Sequence, residues 1–242
     1  MPDLHESLGC RYLVATKFTR KGIRQGERPC IAPAPSSKEY PDAEKIDLPA
    51  NPSRPAADIW QLLRSRRSER NFSGRAMTLE DLSLLLWACQ GVTAKAGPFL
   101  LRTAPSAGAL YPIETYLAVE NIEGLPAGLF HFNVNGFQLE RMTDHGVGLP
   151  VAHAALDQSF IAGGAVTFLW SAVLRRNMAK YGHRGMRYIC LDAGHICQNL
   201  LLAAEALGWR CCPVAAFYDD ELNDILGLDG VEESVLYLAP VG

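Results

Sequence analysis

The dipeptide Asn135-Gly136 constrains the fold more than any other feature of this chain, because it lies between two strand-like runs, residues 128–132 and 137–142. Asparagine and glycine tolerate the positive φ angles of tight turns, so this pair is a strong hairpin signal. The two runs must therefore pair as antiparallel strands. A third strand-like run, residues 115–120, precedes them. A sheet made only of parallel strands is excluded.

Helical patterns lie on both sides of these strands. Residues 58–64 carry apolar side chains at the spacing of one helical face. Thr78, with Asp81 three residues later, resembles a capping box and predicts a helix that ends at Gly91. Further helices are expected at residues 150–158, 174–181, 187–207 and 219–226. The third is apolar all round and so is expected to be central, and Asp219 is expected to cap the fourth. Further strands are expected at residues 165–171, 210–217 and 234–239. Hairpin strands mixed with long helices predict an α+β domain with a mixed sheet.

The first part of the chain has a different composition. Eight of the fifteen prolines lie in the first 55 residues, which argues against long helices or central strands there. Apolar residues are interspersed among them, so this segment is expected to pack on the body of the protein. We therefore predict an extended arm at residues 1–57 and a domain at residues 58–242.

Composition limits the partners of the protein. A formal net charge of -3 over 242 residues gives no reason to expect nucleic acid or an anionic membrane as a partner, and a small-molecule function becomes the default. The seven cysteines are scattered and odd in number, which favours a reducing cytoplasm. The longest uncharged run, residues 158–174, falls short of the roughly 20 residues that span a bilayer.

One cluster suits an anion. The sequence Arg66-Arg67-Ser68-Glu69-Arg70 offers three guanidiniums and a hydroxyl, which fit a dianionic phosphate. The alternative is a solvated helix end whose arginines complement the helix dipole. On the cluster alone, the helix end is the better interpretation.

Two other stretches are candidates for ligand binding or catalysis. Neither G-x-G-x-x-G nor G-x-x-x-x-G-K occurs, so any nucleotide or flavin is held by another device. The small residues of 103–112 let backbone groups approach a flat ligand, or they form a plain turn before a strand. Lys180 and Tyr181 lie in a basic run, where a lysine in a partly closed site serves as an acid or base, or simply as a solvated helix end.

A metal site receives less support. Asp192 and His195 share a helix face near Cys190, Cys197 and the pair Cys211-Cys212. No paired ligand motif such as C-x-x-C or H-E-x-x-H is present, and a helix histidine bonded to a neighbour is more usual. We therefore predict no metal.

Taken in order, six segments resemble the flavin-dependent nitroreductase family and, within it, the SagB-type (ThcOx-like) dehydrogenases. They are Ala15-Thr16-Lys17-Phe18, the run from Arg66 to Phe72, the run from Pro105 to Pro112, Lys180-Tyr181-Gly182, Asp192-Ala193-Gly194-His195 and the run from Pro213 to Phe217. The order and spacing of these segments cover nearly the whole chain.

The resemblance implies a nitroreductase-like α+β fold, in which helices flank a mixed, mainly antiparallel sheet and FMN lies in a cleft at the interface of a homodimer. It implies that Arg66, Ser68 and Arg70, with Arg67 alongside, hold the phosphate and ribityl chain. It places Pro105, Ser106, Ala107, Gly108 and Leu110 at the ring of the partner subunit, and Gln158, Pro213, Val214, Ala215 and Ala216 near the ring and its N5 edge. Because no basic residues follow Gly242, where relatives often continue with them, more of the FMN grip is expected from the arginines.

The implied activity is hydride transfer at flavin N5 in alternating half-reactions. Lys180 and Tyr181 match the pair that looks catalytic in SagB-type azoline dehydrogenases, so the substrate is expected to be a small molecule or a modified peptide. The first alternative is a nitro or quinone reductase that takes hydride from NAD(P)H as a transient donor. The second is a non-catalytic flavin-binding sensor or scaffold.

Overall fold

The computed structural model describes residues 4–20, 31–50, 52–53, 55–97 and 99–242. It contains the expected hairpin, formed by antiparallel strands β5 (Gly128–Asn133) and β6 (Gln138–Arg141). The loop between them has four residues, and its positive φ angle falls on Phe137 (φ 50°) and not on Asn135 or Gly136. The side chain of Asn133 accepts a hydrogen bond from the amide of Gly136 at 3.0 Å, which holds this longer turn.

Six strands form the main sheet, in the order β1-β6-β5-β4-β7-β8, and β2 and β3 form a separate hairpin. The remaining strands are β1 (Lys45–Asp47), β2 (Val92–Ala96), β3 (Phe99–Arg102), β4 (Ile113–Val119), β7 (Val166–Val173) and β8 (Glu233–Val241). All neighbouring strands pair antiparallel, and in the part of the chain that the structure describes parallel pairing occurs only at isolated bridges such as Ser68–Cys211. The mainly antiparallel sheet is confirmed.

Seven α-helices lie in the described part of the chain. They are α1 (Leu8–Ala15), α2 (Ile59–Ser65), α3 (Leu79–Gln90), α4 (Gly148–Ala154), α5 (Leu174–Tyr181), α6 (Gly185–Ala206) and α7 (Asp219–Leu226). Thr78 caps α3 by accepting a hydrogen bond from the amide of Asp81 at 3.1 Å, as the sequence predicts. The expected cap at Asp219 is wrong, since Asp219 is the first helical residue and Tyr218 precedes it without a side-chain cap. None of the helices in these ranges is both long enough and apolar enough to cross a bilayer.

The sheet separates two hydrophobic layers, because alternate side chains of a strand point to opposite faces. Leu117 of β4 joins the layer that holds Leu86 of α3 and Leu200 of α6. Its neighbour Tyr116 joins the layer with Val151 and Leu222, which come from α4 and α7. Helices therefore flank both faces of the sheet. The α6 helix is buried on one side only, since Leu191 remains 58% exposed, so its predicted central position is wrong.

The described part of the N-terminal arm is partly helical. No proline occurs between residues 3 and 28, which permits α1, and Ser7 caps it by accepting from the amide of Cys10 at 3.2 Å. Further along, Lys38 forms an ion pair with Glu233 at 2.7 Å, and β1 adds a strand beside β6. The arm thus contacts the body at several points.

The strand expected at residues 210–217 is wrong. Only isolated bridges form there, at Cys211 and Val214. Arg210 and Val214 each exchange two hydrogen bonds with residues in or directly after β8, but between them only the amide of Cys212 donates, to the carbonyl of Pro240 at 3.3 Å. Pro240 has no amide hydrogen to return, so no continuous ladder forms. This irregular course exposes Ala215 and Ala216 at the surface.

Candidate functional site

The arginine cluster leaves the end of α2 and runs beside a distant part of the chain. Arg66 follows the last helical residue, and its amide donates to Leu62 at 3.0 Å. Two residues on, Ser68 forms a bridge to Cys211, and the amide of Glu69 donates to the carbonyl of Cys211 at 3.0 Å. The cluster is therefore an extended strip fixed to Cys211, with its charged side chains at the surface.

The three arginines of this strip have different surroundings. Arg67 donates from Nη1 to the carbonyls of Arg64 at 3.0 Å and Arg66 at 2.8 Å, so it caps the end of α2. Arg70 lies over the ring of Phe160, 5.5 Å from its centroid. Among the described residues, neither Arg66 nor Arg70 forms an ion pair with a carboxylate. Both charges are available to an external anion.

Residues 213–216 form the second wall of this surface. Val214 is fixed to the sheet by two hydrogen bonds with Leu238, at 2.8 and 3.1 Å. Gln158 donates from Nε2 to the carbonyls of Ala155 at 2.7 Å and Ala216 at 3.2 Å. The amides of Ala215 and Ala216 donate to no group in the described ranges, and their small side chains leave the backbone open. These amides can donate to a flat ligand that lies against them.

The thiols near this surface belong to the core. Cys211 packs near Cys89 and Cys197, and burial raises the pKa of all three, that of Cys197 to about 12. Burial also raises the pKa of Cys212, and the neighbouring charge of Arg70 partly offsets that shift. All four thiols stay protonated at neutral pH, so they are not nucleophiles. The pair Cys211-Cys212, which the sequence offered as possible metal ligands, packs beneath the arginine strip.

A second group of predicted residues lies on the loop after β3. Gly108 adopts a φ angle of +67°, and a Cβ added there would lie 2.4 Å from the hydroxyl of Tyr181 and 2.7 Å from Nζ of Lys180. Ala109 and Tyr111 also have positive φ angles, of 53° and 44°. Such backbone is strained in residues other than glycine and persists only where the surroundings impose it. The loop is thus held against the ends of the two side chains.

Asp192 of α6 fixes the other side of this loop. The hydroxyl of Ser106 donates to Oδ2 of Asp192 at 2.6 Å and accepts from the amide of Tyr111 at 2.9 Å. Burial raises the pKa of Asp192, and the hydrogen bonds from Ser106 and Ala107 partly offset this effect. His195 is exposed, and the described residues contain no group of three or more potential metal ligands. Asp192 therefore supports the loop, and nothing here favours the metal interpretation.

Sequence reasoning missed Gln90 and Arg102, which lie beneath the loop. A small cavity is lined by Gln90, Arg102, Ser106, Tyr111 and Asp192 among others. Arg102 donates to Oε1 of Gln90 at 2.6 Å and stacks 4.5 Å from the ring centroid of Tyr111. Burial lowers the pKa of Arg102 to about 10, so the guanidinium is charged at neutral pH. Its position immediately before the small-residue stretch was the signal that could have identified it.

The predicted site residues form two separate groups. One comprises Arg66, Arg67, Ser68, Arg70, Gln158, Pro213, Val214, Ala215 and Ala216, and the other Pro105, Ser106, Ala107, Gly108, Leu110, Lys180 and Tyr181. No hydrogen bond, ion pair or ring contact within the described ranges joins the two.

An antiparallel sheet between two helical layers, an arginine strip and a glycine loop are features of a flavoprotein-like α+β domain. Residues 63–242 match the model of the nitroreductase family. The chain belongs to the nitroreductase family.

Comparison with curated proteins gives relatives of two kinds. A Methanocaldococcus jannaschii protein that carries the nitroreductase name is 37% identical over 204 residues, which cover 84% of this chain and 94% of that protein. The trifolitoxin-processing protein TfxB of Rhizobium leguminosarum bv. trifolii is 30% identical over 58% of this chain and 39% of its own length. The microcin B17-processing protein McbC of Escherichia coli is 28% identical over 53% of this chain and 49% of its own length.

Solved structures share the fold. A nitroreductase of Anabaena variabilis superposes with a TM-score of 0.72 at 28% identity, and the match covers 85% of this chain and 43% of that one. A nitroreductase of Desulfovibrio desulfuricans in complex with FMN has a TM-score of 0.54 at 19% identity, covering 77% of this chain and 86% of that one. The nitroreductase fold, with its mainly antiparallel sheet flanked by helices, is therefore confirmed.

Proposed function

We propose that this protein is a cytoplasmic, FMN-dependent oxidoreductase of the SagB type that oxidises an azoline ring in a modified peptide or a related small molecule. The observation that carries the proposal is the contact of Gly108 with the ends of Lys180 and Tyr181, because it puts two proton-transfer groups of α5 against the loop expected to face the flavin ring. The family is that of FMN-dependent oxidoreductases, and two relatives are named for the processing of trifolitoxin and microcin B17.

The first group of residues fits FMN. Arg66 and Arg70, which lack carboxylate partners among the described residues, would bind the phosphate together with the hydroxyl of Ser68. The open amides of Ala215 and Ala216 would donate to the N5 edge of the ring, and Gln158, already bonded to Ala216, would border it. When bound, FMN supplies a ring that accepts hydride and later gives up electrons to oxygen.

The separation of the two groups supports a homodimer. We infer that the loop of Pro105–Gly108, with Leu110, Lys180 and Tyr181, completes the FMN site of the partner copy. Large apolar side chains are exposed on α2 and α6, with Trp60 76% and Leu191 58% exposed. An exposed apolar face of this kind is typical of an interface.

One of Lys180 and Tyr181 would take the proton from one ring carbon of the azoline while the hydride on the adjacent ring carbon passes to FMN, so that the ring loses two hydrogens. The two side chains lie together, with Nζ of Lys180 5.3 Å from the ring centroid of Tyr181. Tyr181 in turn packs edge-on against Tyr188 at 5.0 Å, which fixes its ring. A base held in this way removes a proton without first being ordered.

The second candidate is an NAD(P)H-dependent nitro or quinone reductase, which the 37% identity to a protein of that name favours. A reductase of this kind needs the flavin but not Lys180. A Lys180→Ala variant separates the two functions: a dehydrogenase loses almost all oxidation of a thiazoline-containing peptide, whereas a reductase keeps its NAD(P)H-dependent turnover. Lys95→Ala is the matched control, since Lys95 is exposed on β2. A parent protein that turns over neither substrate contradicts both functions.

A further inference from the structure

Arg176 joins three parts of the molecule to the helix that carries Lys180 and Tyr181. Its side chain is only 4% exposed, donates two hydrogen bonds and forms one ion pair. Nε donates to the carbonyl of Pro35 in the arm at 2.6 Å, Nη1 to the carbonyl of Tyr111 at 3.0 Å, and Nη2 pairs with Oε1 of Glu114 at 2.6 Å.

These three interactions of Arg176 hold both the helix and the loop that meet at Gly108. Arg176 precedes Lys180 by four residues on α5, so the two side chains leave the same face of the helix one turn apart. Tyr111 ends the strained loop that begins at Pro105 and includes Gly108. One guanidinium therefore ties the helix that bears the two side chains to the loop that presses on their ends.

The guanidinium is itself held by a buried chain of charges. Oε2 of Glu114 lies 3.1 Å from Nε2 of His131, and Nδ1 of His131 lies 2.8 Å from Oε2 of Glu140. Each ring nitrogen of His131 thus faces a carboxyl group, and the hydrogen bond and charge of His131 help to hold the pKa of Glu114 below its ordinary value. An unpaired charge is costly in so buried a site.

The last carboxyl group of this chain of charges, that of Glu140, is bonded to the arm. Oε2 of Glu140 accepts a hydrogen bond from the amide of Tyr40 at 3.1 Å. The arm is therefore bonded at Pro35 and again at Tyr40, on either side of Lys38, which pairs with Glu233 at 2.7 Å. Residues 35–40 are part of the support of Arg176.

We propose that Arg176 is a positioning residue that sets the place of Lys180 and Tyr181 against the Gly108 loop. We call the groups that hold its guanidinium its socket, and we propose that residues 35–40 of the arm complete this socket. This inference rests on the proposed function, in which that pair takes a proton from the substrate. The planar fork of arginine reaches three acceptors in fixed directions, which the single ammonium of lysine does not reproduce. A displacement of about 1 Å at a reacting group costs about a hundredfold in rate.

The test compares Arg176→Lys with Arg175→Lys in the FMN-loaded full-length protein. Arg175 is the neighbouring residue on the same helix and pairs with Glu232 at the surface, so it is the matched control. For Arg176→Lys we expect kcat with a thiazoline-containing peptide to fall by about ten- to a hundredfold, with KM and FMN affinity unchanged. Arg175→Lys should match the parent. In a Lys180→Ala background, Arg176→Lys should have no further effect.

A second measurement needs no substrate. Acetylation by acetic anhydride, followed by mass spectrometry, gives the reactivity of Lys180 relative to the exposed Lys95. We expect this ratio to rise by about threefold in Arg176→Lys, because the contact at Gly108 loosens locally, and to stay constant in Arg175→Lys. If Arg176→Lys does not fold, Glu114→Gln, which weakens the socket and keeps the arginine, should change both readouts in the same direction.

The outcomes separate the two proposals. An unchanged kcat together with an unchanged Lys180 ratio in Arg176→Lys overturns the positioning role. A parent protein that does not oxidise the thiazoline peptide overturns the proposed function, and the acetylation ratio then still decides whether Arg176 places Lys180.

Discussion

Gly108 and Lys180 lie so close that a methyl group on the first would come within 2.7 Å of the amine nitrogen of the second. The same methyl group would lie 2.4 Å from the hydroxyl of Tyr181. Both atoms are the ends of flexible side chains, so an added Cβ would displace them and leave the backbone nearly in place. The contact therefore links the shape of a loop directly to the position of two proton-transfer groups.

Gly108→Ala should impair turnover much more than folding. The alanine displaces the Lys180–Tyr181 pair, and we expect kcat with a thiazoline-containing peptide to fall by about tenfold or more. Gly74→Ala is the matched control, because Gly74 has a similar φ of +72° but nothing within 4 Å of an added Cβ. Both variants should lose about 1 kcal/mol of stability from the strained φ. Equal activity of the two variants would show that the contact has no part in catalysis.

Arg70→Ala should weaken FMN binding. The variant removes a charge that faces no carboxylate among the described residues, and we expect the Kd for FMN, measured by fluorescence titration, to rise by about tenfold or more. Arg67→Ala should change the Kd much less, because that guanidinium already bonds to the carbonyls of Arg64 and Arg66.

Unchanged FMN binding in Arg70→Ala would place the phosphate elsewhere. Two other arginines, Arg184 and Arg187, already have partners in the arm. Arg184 donates to the carbonyl of Thr16 at 2.8 Å, and Arg187 to its hydroxyl at 2.8 Å, so the arm already occupies both. Arg75→Ala is a further control, since this guanidinium stacks 3.6 Å from the ring centroid of Trp209.

Leu191→Asp should break the dimer and release FMN together. Leu191 is 58% exposed on α6, and a carboxylate at the centre of an apolar interface is strongly unfavourable. Val231→Asp is the control, because Val231 is 73% exposed but lies in a loop before β8. Size-exclusion chromatography and the flavin absorbance of the same peak measure both effects. A monomer that keeps its FMN would contradict the shared cleft.

Glu114→Gln should change the pH dependence of stability. Burial by itself raises the pKa of Glu114, but the hydrogen bond and charge of His131 and the charge of Arg176 outweigh it and hold the pKa below its ordinary 4.5. An acid whose folded pKa is depressed stabilises the fold above the unfolded pKa, and this stability is lost as the pH falls through the folded value. The advantage of the parent should therefore be fully present above pH 4.5 and shrink below it.

Urea unfolding at several pH values measures this difference. At pH 7 we expect Glu114→Gln to be less stable than the parent by about 2 kcal/mol, since it weakens a buried charge-assisted hydrogen bond. Glu123→Gln, at an exposed position, should follow the parent at every pH. A stability difference that stays constant from neutral to acidic pH would mean that Glu114 is not held as a carboxylate by His131 and Arg176.

The sequence predicted what short-range patterns determine. The helix after Thr78 and the strands around Asn135-Gly136 follow from residues that are neighbours in the chain. The tail strand failed because Pro240 of β8 has no amide hydrogen to donate to Cys212, which leaves the pairing incomplete at a place where the apolar pattern continues. The helix in the arm did not follow from the composition of the whole segment, because its prolines are unevenly placed and none lies between residues 3 and 28.

The candidate site could be predicted only as a set of residues. Motif order named Lys180, Tyr181 and Gly108, and the structure brings these three together. The socket of Arg176 could not be predicted from the sequence, because its acceptor Pro35 is 141 positions away and offers a backbone carbonyl that carries no sequence signal. Likewise, nothing in the sequence indicates that Arg67 bonds back to its own helix and not to a ligand.

The most direct test of the oxidoreductase assignment is the absorption spectrum of the purified protein after incubation with FMN and removal of the free flavin, followed by anaerobic addition of a thiazoline-containing peptide. We expect flavin bands that remain with the protein and bleach on addition of the peptide, while the peptide loses two hydrogens. A colourless protein that retains no FMN, or a yellow protein whose bands are bleached neither by the peptide nor by NADPH, would contradict the assignment.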